Sequence, residues 1–374
     1  MSGWISTWGQ ATTEISMIRP SYNNRTMNLA VVNNIKGDKI RIRLSNRDGK
    51  KSMHIIEGTI AVNGQEQKKL LFNGEAELII KSGMETYSDV VSMEIDTGDY
   101  ITINLAFDGP VTSGNNIVET IHCSENGNFT KATQFKTVHR DKTACYHDMA
   151  QAIPALSSIE VFSEEEGCAI VCFGDSITQQ SNWTKPLAEK MAELYPGKVS
   201  VINKGIGGNR LLNGPSPSFM GMYGQAGIQR FDRDVLDEAG VKAVVFALGT
   251  NDLGMSRNPK KPGWITAQML IDAYVELVAN AKENGLKVYG TTILPRAGSD
   301  GYTSSHETER IKFNEWMRTT DIFDKVFDFD EAVRNPIDLD KMRMEYDSGD
   351  HLHPGVLGGK KMAECIWKES EVFV

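Results

Sequence analysis

The sequence predicts an all-β sandwich followed by an α/β domain built on a parallel sheet. Two patterns predict this order. Up to about residue 162, apolar and polar side chains alternate, as over 39–44 and 100–105, which is the period of half-buried strands. Beyond residue 168, continuous apolar runs alternate with helical patterns, which is typical of parallel strands that are buried on both faces.

The two predicted domains cover residues 1–163 and 164–374. A chain of 374 residues exceeds the range in which one hydrophobic core usually grows. The boundary is expected at the acidic segment 163–167, which ends in glycine and precedes an apolar run. Before it, turn pairs such as Asp48-Gly49, Asn63-Gly64 and Asn73-Gly74 separate the strands, and no amphipathic helix is predicted. These features favour a β-sandwich.

In the second domain, buried strands are expected at 169–173, 199–203, 241–248, 286–294 and 326–329. Apolar residues recur at helical spacing over 269–281 and predict a helix that ends at Asn284-Gly285. Leu187, Met191 and Leu194 mark another helix. An open parallel sheet binds its ligand beyond the carboxyl ends of its strands, so we expect the functional site there.

Charge and composition exclude several partners. The formal net charge is -9 and the pI is about 5.4, and no run of Lys and Arg interrupts the negative balance. We therefore expect neither nucleic acid nor a membrane surface as a partner. The chain does not begin with a basic segment followed by an apolar one, and no apolar run approaches the roughly 18 residues that span a bilayer. This predicts a cytoplasmic protein.

The cysteines and histidines predict no metal site. The five cysteines are scattered and odd in number, which favours a reducing compartment over a disulfide framework. Cys168 and Cys172 lie on a predicted buried strand without a second Cys or His pair, which argues against zinc. His351 and His353 form an H-x-H pair that lacks a third ligand at a fixed spacing.

Ser176 is the predicted nucleophile. It lies in Gly174-Asp175-Ser176, after a predicted strand and before a helix expected near Trp183, so its hydroxyl would stand at the carboxyl edge of the sheet. A serine hydroxyl becomes a useful nucleophile when an imidazole accepts its proton. His353 is the best candidate for this base, because Asp350, three residues earlier, can orient the ring and stabilise the imidazolium.

Three donors are expected for the oxyanion of a tetrahedral intermediate. Asn251, in Gly249-Thr250-Asn251-Asp252, supplies a side-chain amide after the strand at 241–248. Gly207-Gly208 follows the strand at 199–203, and a residue without Cβ lets a backbone N–H approach the substrate. The backbone N–H of Ser176 is the third donor.

Four separate blocks resemble those of the SGNH hydrolases, also called the GDSL esterase and lipase family. The blocks are Phe173-Gly174-Asp175-Ser176-Ile177-Thr178, Asn203-Lys204-Gly205-Ile206-Gly207-Gly208-Asn209, Gly249-Thr250-Asn251-Asp252 and Asp350-His351-Leu352-His353-Pro354. The resemblance implies that Ser176 is the nucleophile, His353 the base and Asp350 its orienting carboxylate. It also implies that Gly208 and Asn251 are oxyanion donors, that no cofactor is needed, and that the domain has a flavodoxin-like, three-layer fold. Ile177 stands where the family name implies leucine.

The front half, including Trp4-Ile5-Ser6-Thr7-Trp8 and Arg43-Leu44-Ser45-Asn46, resembles the N-terminal region of two-domain bacterial members of this family. Those relatives join a jelly-roll-like β-sandwich to the hydrolase domain, and carbohydrate deacetylation is one frequent activity among them. The resemblance therefore implies a serine esterase that removes short acyl groups, acetyl above all. Its expected substrate is a small-molecule or oligosaccharide ester.

Other readings of the sequence stay open. A lipase or arylesterase acting on lipid-like or aryl esters would need a wide apolar trough beside Ser176. A catalytically inactive carbohydrate-binding protein would keep the β-sandwich and lack the chemistry. The β-sandwich itself has two predicted roles, which are to close one side of the active-site cleft or to mediate self-association into a homo-oligomer.

Other residues bear on substrate and cofactor binding. Tyr223, in the glycine-rich stretch 214–227, is predicted to contact the substrate. Arg210 occupies the place of the last glycine of a dinucleotide-binding fingerprint, which excludes that site. Core packing is the expected role of three other aromatic residues, Trp183, Trp264 and Tyr302.

Overall fold

A computed structural model describes residues 2–16, 22–115, 117, 119–132, 134–138, 152–215, 221–256, 259–260 and 262–373. These residues divide into two units. The first lies within Met1–Cys168, Tyr195–Ser200 and Pro217–Gly224, and the second within Ala169–Leu194, Val201–Ser216 and Gln225–Val374. The predicted boundary between residues 163 and 164 stays a prediction.

The first unit is built from strands joined by tight turns. Asn63 and Asn73 adopt φ values of 50° and 54°, and each is followed by a glycine at positive φ, as Asn-Gly hairpin turns require. The strands are β1 (Gly3–Gly9), β2 (Thr13–Glu14), β3 (Arg25–Val32), β4 (Gly37–Ser45), β5 (Met53–Val62), β6 (Lys68–Leu70), β7 (Leu78–Ile80), β8 (Glu85–Tyr87), β9 (Val91–Ile95), β10 (Tyr100–Phe107), β11 (Ser113–Asn115), β12 (Thr120–Asn126), β13 (Ile153–Pro154) and β14 (Leu156–Ser163).

Two antiparallel sheets carry the core of this unit. One has the order β1-β14-β4-β8 with β9 also paired to β4, and the other has the order β12-β3-β10-β5-β6 with β7 on β5. A smaller sheet has the order β13-β11-β2. Alternate residues are fully buried, as at Ile40, Ile42 and Leu44 of β4 and at Ile101 and Ile103 of β10. The predicted all-β sandwich is confirmed.

The second unit alternates strands with helices. Thr266 and Thr303 begin two of the helices by accepting the backbone N–H of Met269 and His306 through their side chains. The elements are β15 (Cys168–Gly174), α1 (Ser176–Gln179), α2 (Thr184–Leu194), β16 (Val199–Gly205), α3 (Gly227–Phe231), a π-helical turn (Asp232–Leu236), β17 (Val241–Ala247), α4 (Thr250–Met255), α5 (Ala267–Glu283), β18 (Lys287–Thr291), α6 (Ser304–Thr319), β19 (Lys325–Phe327), α7 (Phe329–Val333), α8 (Val356–Trp367) and a 3₁₀ turn (Ser370–Phe373).

The strands of this unit form one sheet in the order β16-β15-β17-β18-β19. The register is parallel from β15 onwards and pairs Phe173 with Phe246 and Phe246 with Gly290. This order is the flavodoxin-like one. The second strand, β16, is added on one side of β15, and the later strands are added on the other side. The predicted parallel sheet is confirmed. The carboxyl ends of β16, β15 and β17 meet at one edge, so the residues that follow these strands come together.

The fourth strand of this sheet ends earlier than predicted. It was expected over 286–294 and covers Lys287–Thr291. Ile293 leaves the ladder because Asn314 Oδ1 accepts its N–H at 2.8 Å. Its carbonyl accepts Arg310 Nη1 at 2.9 Å and Asn314 Nδ2 at 2.8 Å. Side chains thus satisfy backbone groups that a neighbouring strand would otherwise bind.

Two helix starts also change the predicted boundaries. The strand expected to reach Phe329 ends at Phe327, because Asp328 caps α7 by accepting the Glu331 N–H at 2.9 Å. The helix expected near Trp183 begins at Thr184, and a short helix, α1, precedes it. In the part of the chain that the structure describes, no helix is long and apolar enough to cross a bilayer.

Candidate active site

Ser176 lies two residues after the end of β15, an inner strand whose seven residues are all buried. Asp175 accepts the N–H of Ile177 at 3.0 Å, which turns the chain out of the strand and into α1. Gly174 has to lack a side chain, because a Cβ there would lie 2.0 Å from Thr178 Oγ1. The turn leaves 9% of Ser176 exposed.

The structure brings Ser176, His353 and Asp350 together. His353 Nε2 lies 2.8 Å from Ser176 Oγ, and His353 Nδ1 lies 2.6 Å from Asp350 Oδ2. The imidazole therefore bridges the hydroxyl and the carboxylate, with one ring nitrogen on each. This is the arrangement that activates a serine for attack on a carbonyl.

The loop that carries Asp350 and His353 is fixed by its own backbone. Asp350 Oδ1 accepts the N–H of Leu352 at 2.9 Å and that of His353 at 2.8 Å. Asn182 Nδ2 donates to Pro354 O at 3.0 Å, which ties the loop to the segment that precedes α2. The ring of His353 is thus positioned before a substrate arrives.

The same hydrogen bonds set the charge of Asp350. Partial burial acts to raise the pKa of Asp350, but the His353 ring and the N–H groups of His353 and Leu352 hold that pKa well below its usual range. A carboxylate that stays charged at neutral pH keeps the proton on His353 Nδ1. Nε2 is then the acceptor for the Ser176 hydroxyl.

Gly208 and Asn251 follow the two strands that flank β15. Gly208 comes after β16 at a φ of 70°, a conformation that favours glycine. Asn251 lies in the first turn of α4, after β17, and is 8% exposed. Its Nδ2 donates to Asn209 O at 3.0 Å, which fixes the amide between two loops. Both residues therefore lie at the same edge of the sheet as Ser176.

Asp252 is a residue of this site that the sequence analysis missed. Its Oδ2 accepts the N–H of Leu211 at 2.7 Å, and its Oδ1 accepts that of Leu212 at 2.9 Å. Burial raises the pKa of Asp252 to about 6. The carboxylate of Asp252 holds the loop after Gly208 against α4. The position of Asp252 next to Asn251 in the sequence is the signal that could have identified it.

Arg230, on α3, was also missed. Its fully buried guanidinium donates to Gly174 O at 2.8 Å, Lys204 O at 3.0 Å and Asn209 Oδ1 at 3.0 Å. It also donates to Asp234 Oδ2 at 2.9 Å. Burial lowers the pKa of Arg230 to about 10, which leaves it charged at neutral pH. One cation thus joins β15, β16 and the loop that contains Gly208.

The aromatic residues lie in different surroundings. Tyr223 is half-buried and belongs to the first unit, and its predicted contact with a substrate stays a prediction. Trp183 is fully buried against Phe329, with ring centroids 5.4 Å apart, in the core role predicted for it. Tyr302 Oη donates to Asp340 Oδ2 at 3.1 Å.

Cys172 lies in the core, and both histidines of the H-x-H pair have carboxylate partners. Cys172 is a buried free thiol, and burial raises its pKa above the usual range. His351 and His353 each bind a carboxylate through Nδ1, that of Asp347 and that of Asp350 respectively, both at 2.6 Å. Within the described ranges, no group of three or more His, Cys, Asp or Glu residues lies where it could hold a metal ion.

A family model decides the assignment of this chain. The model of the GDSL-like lipase/acylhydrolase family matches residues 172–361, which include Ser176, Asn251 and His353. The chain belongs to this family. As a GDSL-like hydrolase, the protein is a carboxylic ester hydrolase. The resemblance seen in the four sequence blocks is thereby confirmed.

This GDSL-like hydrolase is also similar to solved structures. A GDSL-like lipase from Bacteroides thetaiotaomicron is 19% identical, with 55% of this chain and 89% of that chain covered and a TM-score of 0.39. An acetyl xylan esterase is 18% identical, with coverage of 54% and 98% and a TM-score of 0.41. A carbohydrate esterase family 2 enzyme with a carbohydrate binding domain from Corynascus thermopiles is 14% identical, with coverage of 96% and 98% and a TM-score of 0.39. None of the curated proteins matches the chain.

Proposed function

We propose that Ser176, His353 and Asp350 form the catalytic triad of a serine esterase that removes short acyl groups, acetyl above all, from carbohydrate esters. The observation that carries this proposal is the unbroken chain of hydrogen bonds from Asp350 through the His353 ring to Ser176 Oγ, with distances of 2.6 and 2.8 Å. Both distances lie in the range over which protons pass between a base and its partner.

Acylation begins when Ser176 Oγ attacks the ester carbonyl and His353 Nε2 accepts the hydroxyl proton. Asp350 stabilises the resulting imidazolium through Nδ1. The carbonyl oxygen becomes an oxyanion, which accepts the backbone N–H groups of Ser176 and Gly208 and the second amide N–H of Asn251. When the intermediate collapses, the imidazolium protonates the departing alcohol. Water then attacks the acyl-enzyme with His353 as base, which releases the acid and restores Ser176.

The loop that carries His353 is polar, which supports a substrate whose alcohol part is rich in hydroxyl groups. Ser348, Asp350 and His351 are all exposed on the loop that positions His353. The hydroxyl of Ser348 and the imidazole of His351 can form hydrogen bonds with a sugar, whereas the carboxylate of Asp350 is bound within the loop. This feature favours carbohydrate esters over aryl esters, which present few partners for hydrogen bonds.

Exposed apolar side chains favour a second candidate, an esterase or lipase of lipid-like esters. Val356 and Leu357 directly follow the loop of His353 and are 73% and 59% exposed, and Met344 precedes the loop and is 88% exposed. Large exposed apolar side chains close to a site can bind an acyl chain or a lipid surface. The length of the acyl chain that the enzyme prefers separates the two candidate functions.

The first experiment replaces Ser176 by alanine. We expect turnover of p-nitrophenyl acetate to fall by about 10⁴-fold or more, because the variant has no nucleophile. Circular dichroism and thermal unfolding should match the wild type. Ser304→Ala, which changes an exposed serine at the start of α6, is the matched control and should keep full activity. Substantial residual turnover in Ser176→Ala, or an inactive wild type, would reject the proposed triad.

The same proteins then report on the substrate class. Wild-type activity should fall from acetyl to octanoyl p-nitrophenyl esters, and acetate should be released from acetylated xylan and mannan oligosaccharides. Ser176→Ala should release none. Activity that rises with chain length, without acetate release from the oligosaccharides, would favour the lipid-like candidate instead.

A further inference from the structure

A second carboxylate–imidazole pair lies on the loop of the proposed triad. Asp347 Oδ1 accepts the backbone N–H of His351 at 3.0 Å, and Asp347 Oδ2 lies 2.6 Å from His351 Nδ1. The Asp350–His353 pair is built in the same way, with one carboxylate oxygen on the backbone and the other on the ring. The mechanism above uses only one of these two oriented imidazoles.

The two pairs present opposite ends to solvent. In the triad pair, the imidazole of His353 is 17% exposed and the carboxylate of Asp350 is 51% exposed. In the second pair, the carboxylate of Asp347 is 8% exposed and the imidazole of His351 is 55% exposed. A buried carboxylate thus holds an accessible ring. Because Nδ1 is engaged by Asp347, Nε2 is the ring nitrogen that can bind another molecule.

The backbone of His351 adopts an unfavourable conformation to present this ring. Its φ is 61°, in the left-handed region that glycine and asparagine occupy more readily than a residue with a ring. Asp347 compensates by binding both the backbone N–H and the ring of His351. Backbone conformations of this kind cost about 1–3 kcal/mol and are concentrated at binding sites.

His351 lies at the edge of the sheet where the substrate is expected. It is two residues from His353, whose ring contacts Ser176. Its ring also packs against Gly298, where an added Cβ would lie 3.1 Å from the imidazole. Gly298 follows β18, in the same loop as Arg296, and Arg296 Nη1 donates at 3.1 Å to the carbonyl of Thr250, the neighbour of Asn251. His351 therefore lies where the loop of the base meets the loop behind an oxyanion donor.

We propose that His351 is a specificity-determining residue whose Nε2 accepts a hydrogen bond from a hydroxyl group of the alcohol that carries the ester. This inference rests on the proposed function, because it assigns the leaving-group side of that same site. With Nδ1–H donated to Asp347, the lone pair of Nε2 points away from the carboxylate and can accept a hydrogen bond. A hydroxyl adjacent to the ester oxygen supplies one, so the site selects polyol and sugar esters over simple ones.

The test compares substrates with and without that hydroxyl in the full-length protein. His351→Asn is the informative variant, since asparagine tolerates the left-handed conformation and keeps the loop folded. The substrates are a sugar monoacetate with a free vicinal hydroxyl, the matching deoxy-sugar acetate, and p-nitrophenyl acetate. Lys360→Asn, on the exposed side of α8, is the matched control and should leave kcat/KM unchanged on all three.

We expect His351→Asn to lower kcat/KM about tenfold for the hydroxylated acetate, the usual effect of losing one hydrogen bond. The values for the deoxy-sugar acetate and p-nitrophenyl acetate should change less than about twofold. The wild type should prefer the hydroxylated sugar over the deoxy sugar, and the variant should lose that preference.

Three results would overturn the inference. An equal loss on all three substrates would mean that His351 only stiffens the loop of the base. No loss on any of them, or a wild type that cleaves p-nitrophenyl acetate but does not distinguish the two sugars, would mean that Nε2 binds no hydroxyl. Failure of the proposed function looks different, because Ser176→Ala would then retain the turnover of p-nitrophenyl acetate.

Discussion

Asp350 and Asp175 are carboxylates of one site whose pKa values shift in opposite directions. Asp350 is half-exposed, and hydrogen bonds from His353 and Leu352 keep its pKa low despite partial burial. Asp175 is fully buried, and burial raises its pKa to about 6 although it accepts the N–H of Ile177. Asp350 is therefore ionised throughout the neutral range, whereas Asp175 changes charge close to it.

The buried charge of Asp175 predicts a pH-dependent stability. Below about pH 6 the folded protein binds a proton on Asp175 that the unfolded chain, in which an aspartate has a pKa of about 3.9, does not yet bind. Acidification from pH 7 to 4.5 should therefore stabilise the wild type relative to Asp175→Asn, by roughly 2 kcal/mol. Urea unfolding of both proteins at several pH values measures this. The raised pKa would be contradicted if the difference in the free energy of unfolding between the two proteins did not change with pH, or if acidification stabilised the variant more than the wild type.

Residue spacing explains which members of the site could be predicted. Asp350 and His353 contact each other across one turn of chain, so their spacing of three residues encodes the pair. Asp252 and Arg230 could not be found in this way. Their partners are backbone groups of Leu211 and Gly174, which lie 41 and 56 residues away and leave no pattern in side-chain types.

Arg230 connects separate secondary-structure elements. It joins the ends of two strands to the loop that contains Gly208. It donates to Gly174 O at the end of β15 and to Lys204 O in β16. Asn209 accepts from Arg230 through its side chain and from Asn251 through its carbonyl. The guanidinium thus supports the elements that hold the proposed nucleophile and both proposed oxyanion donors.

Replacing Arg230 by methionine should destabilise these elements. Methionine fills much of the volume but removes the hydrogen bonds of the guanidinium to Gly174 O, Lys204 O, Asn209 Oδ1 and Asp234 Oδ2. We therefore expect the free energy of unfolding to fall by about 3 kcal/mol. Urea denaturation measures this loss. Arg343→Met, which changes an arginine whose side chain is 44% exposed, is the control and should have little effect. A loss for Arg230→Met below about 1 kcal/mol would contradict the structural role.

The sequence predicts which segments form strands and helices better than it predicts the residues at which these elements end. Alternation and continuous apolar runs identify the strands, because they follow directly from burial on one face or on both. The end of β18 depends on Asn314 and Arg310, which bind the backbone of Ile293 from another element. A helix side chain that replaces a strand partner cannot be read from the sequence of the strand itself.

At the scale of the whole molecule, the site exists only in the folded chain. Ser176 and His353 contact each other across 177 residues. The order β16-β15-β17 brings the four sequence blocks to one edge, and the entropy of closing such a long loop is offset only when the sheet has formed. The contact between Ser176 and His353 is therefore a property of the fold.

Covalent labelling by a fluorophosphonate tests the central claim most directly. The reagent forms a stable bond with a serine only when a base removes the hydroxyl proton, so labelling reports on the Ser176–His353 contact itself. We predict one adduct on Ser176, found by mass spectrometry of peptides from the full-length protein. The adduct should be absent in Ser176→Ala, strongly reduced in His353→Ala, and lost in urea in parallel with unfolding. No adduct on Ser176 in the folded wild type, or equal labelling of the His353→Ala variant, would contradict the account.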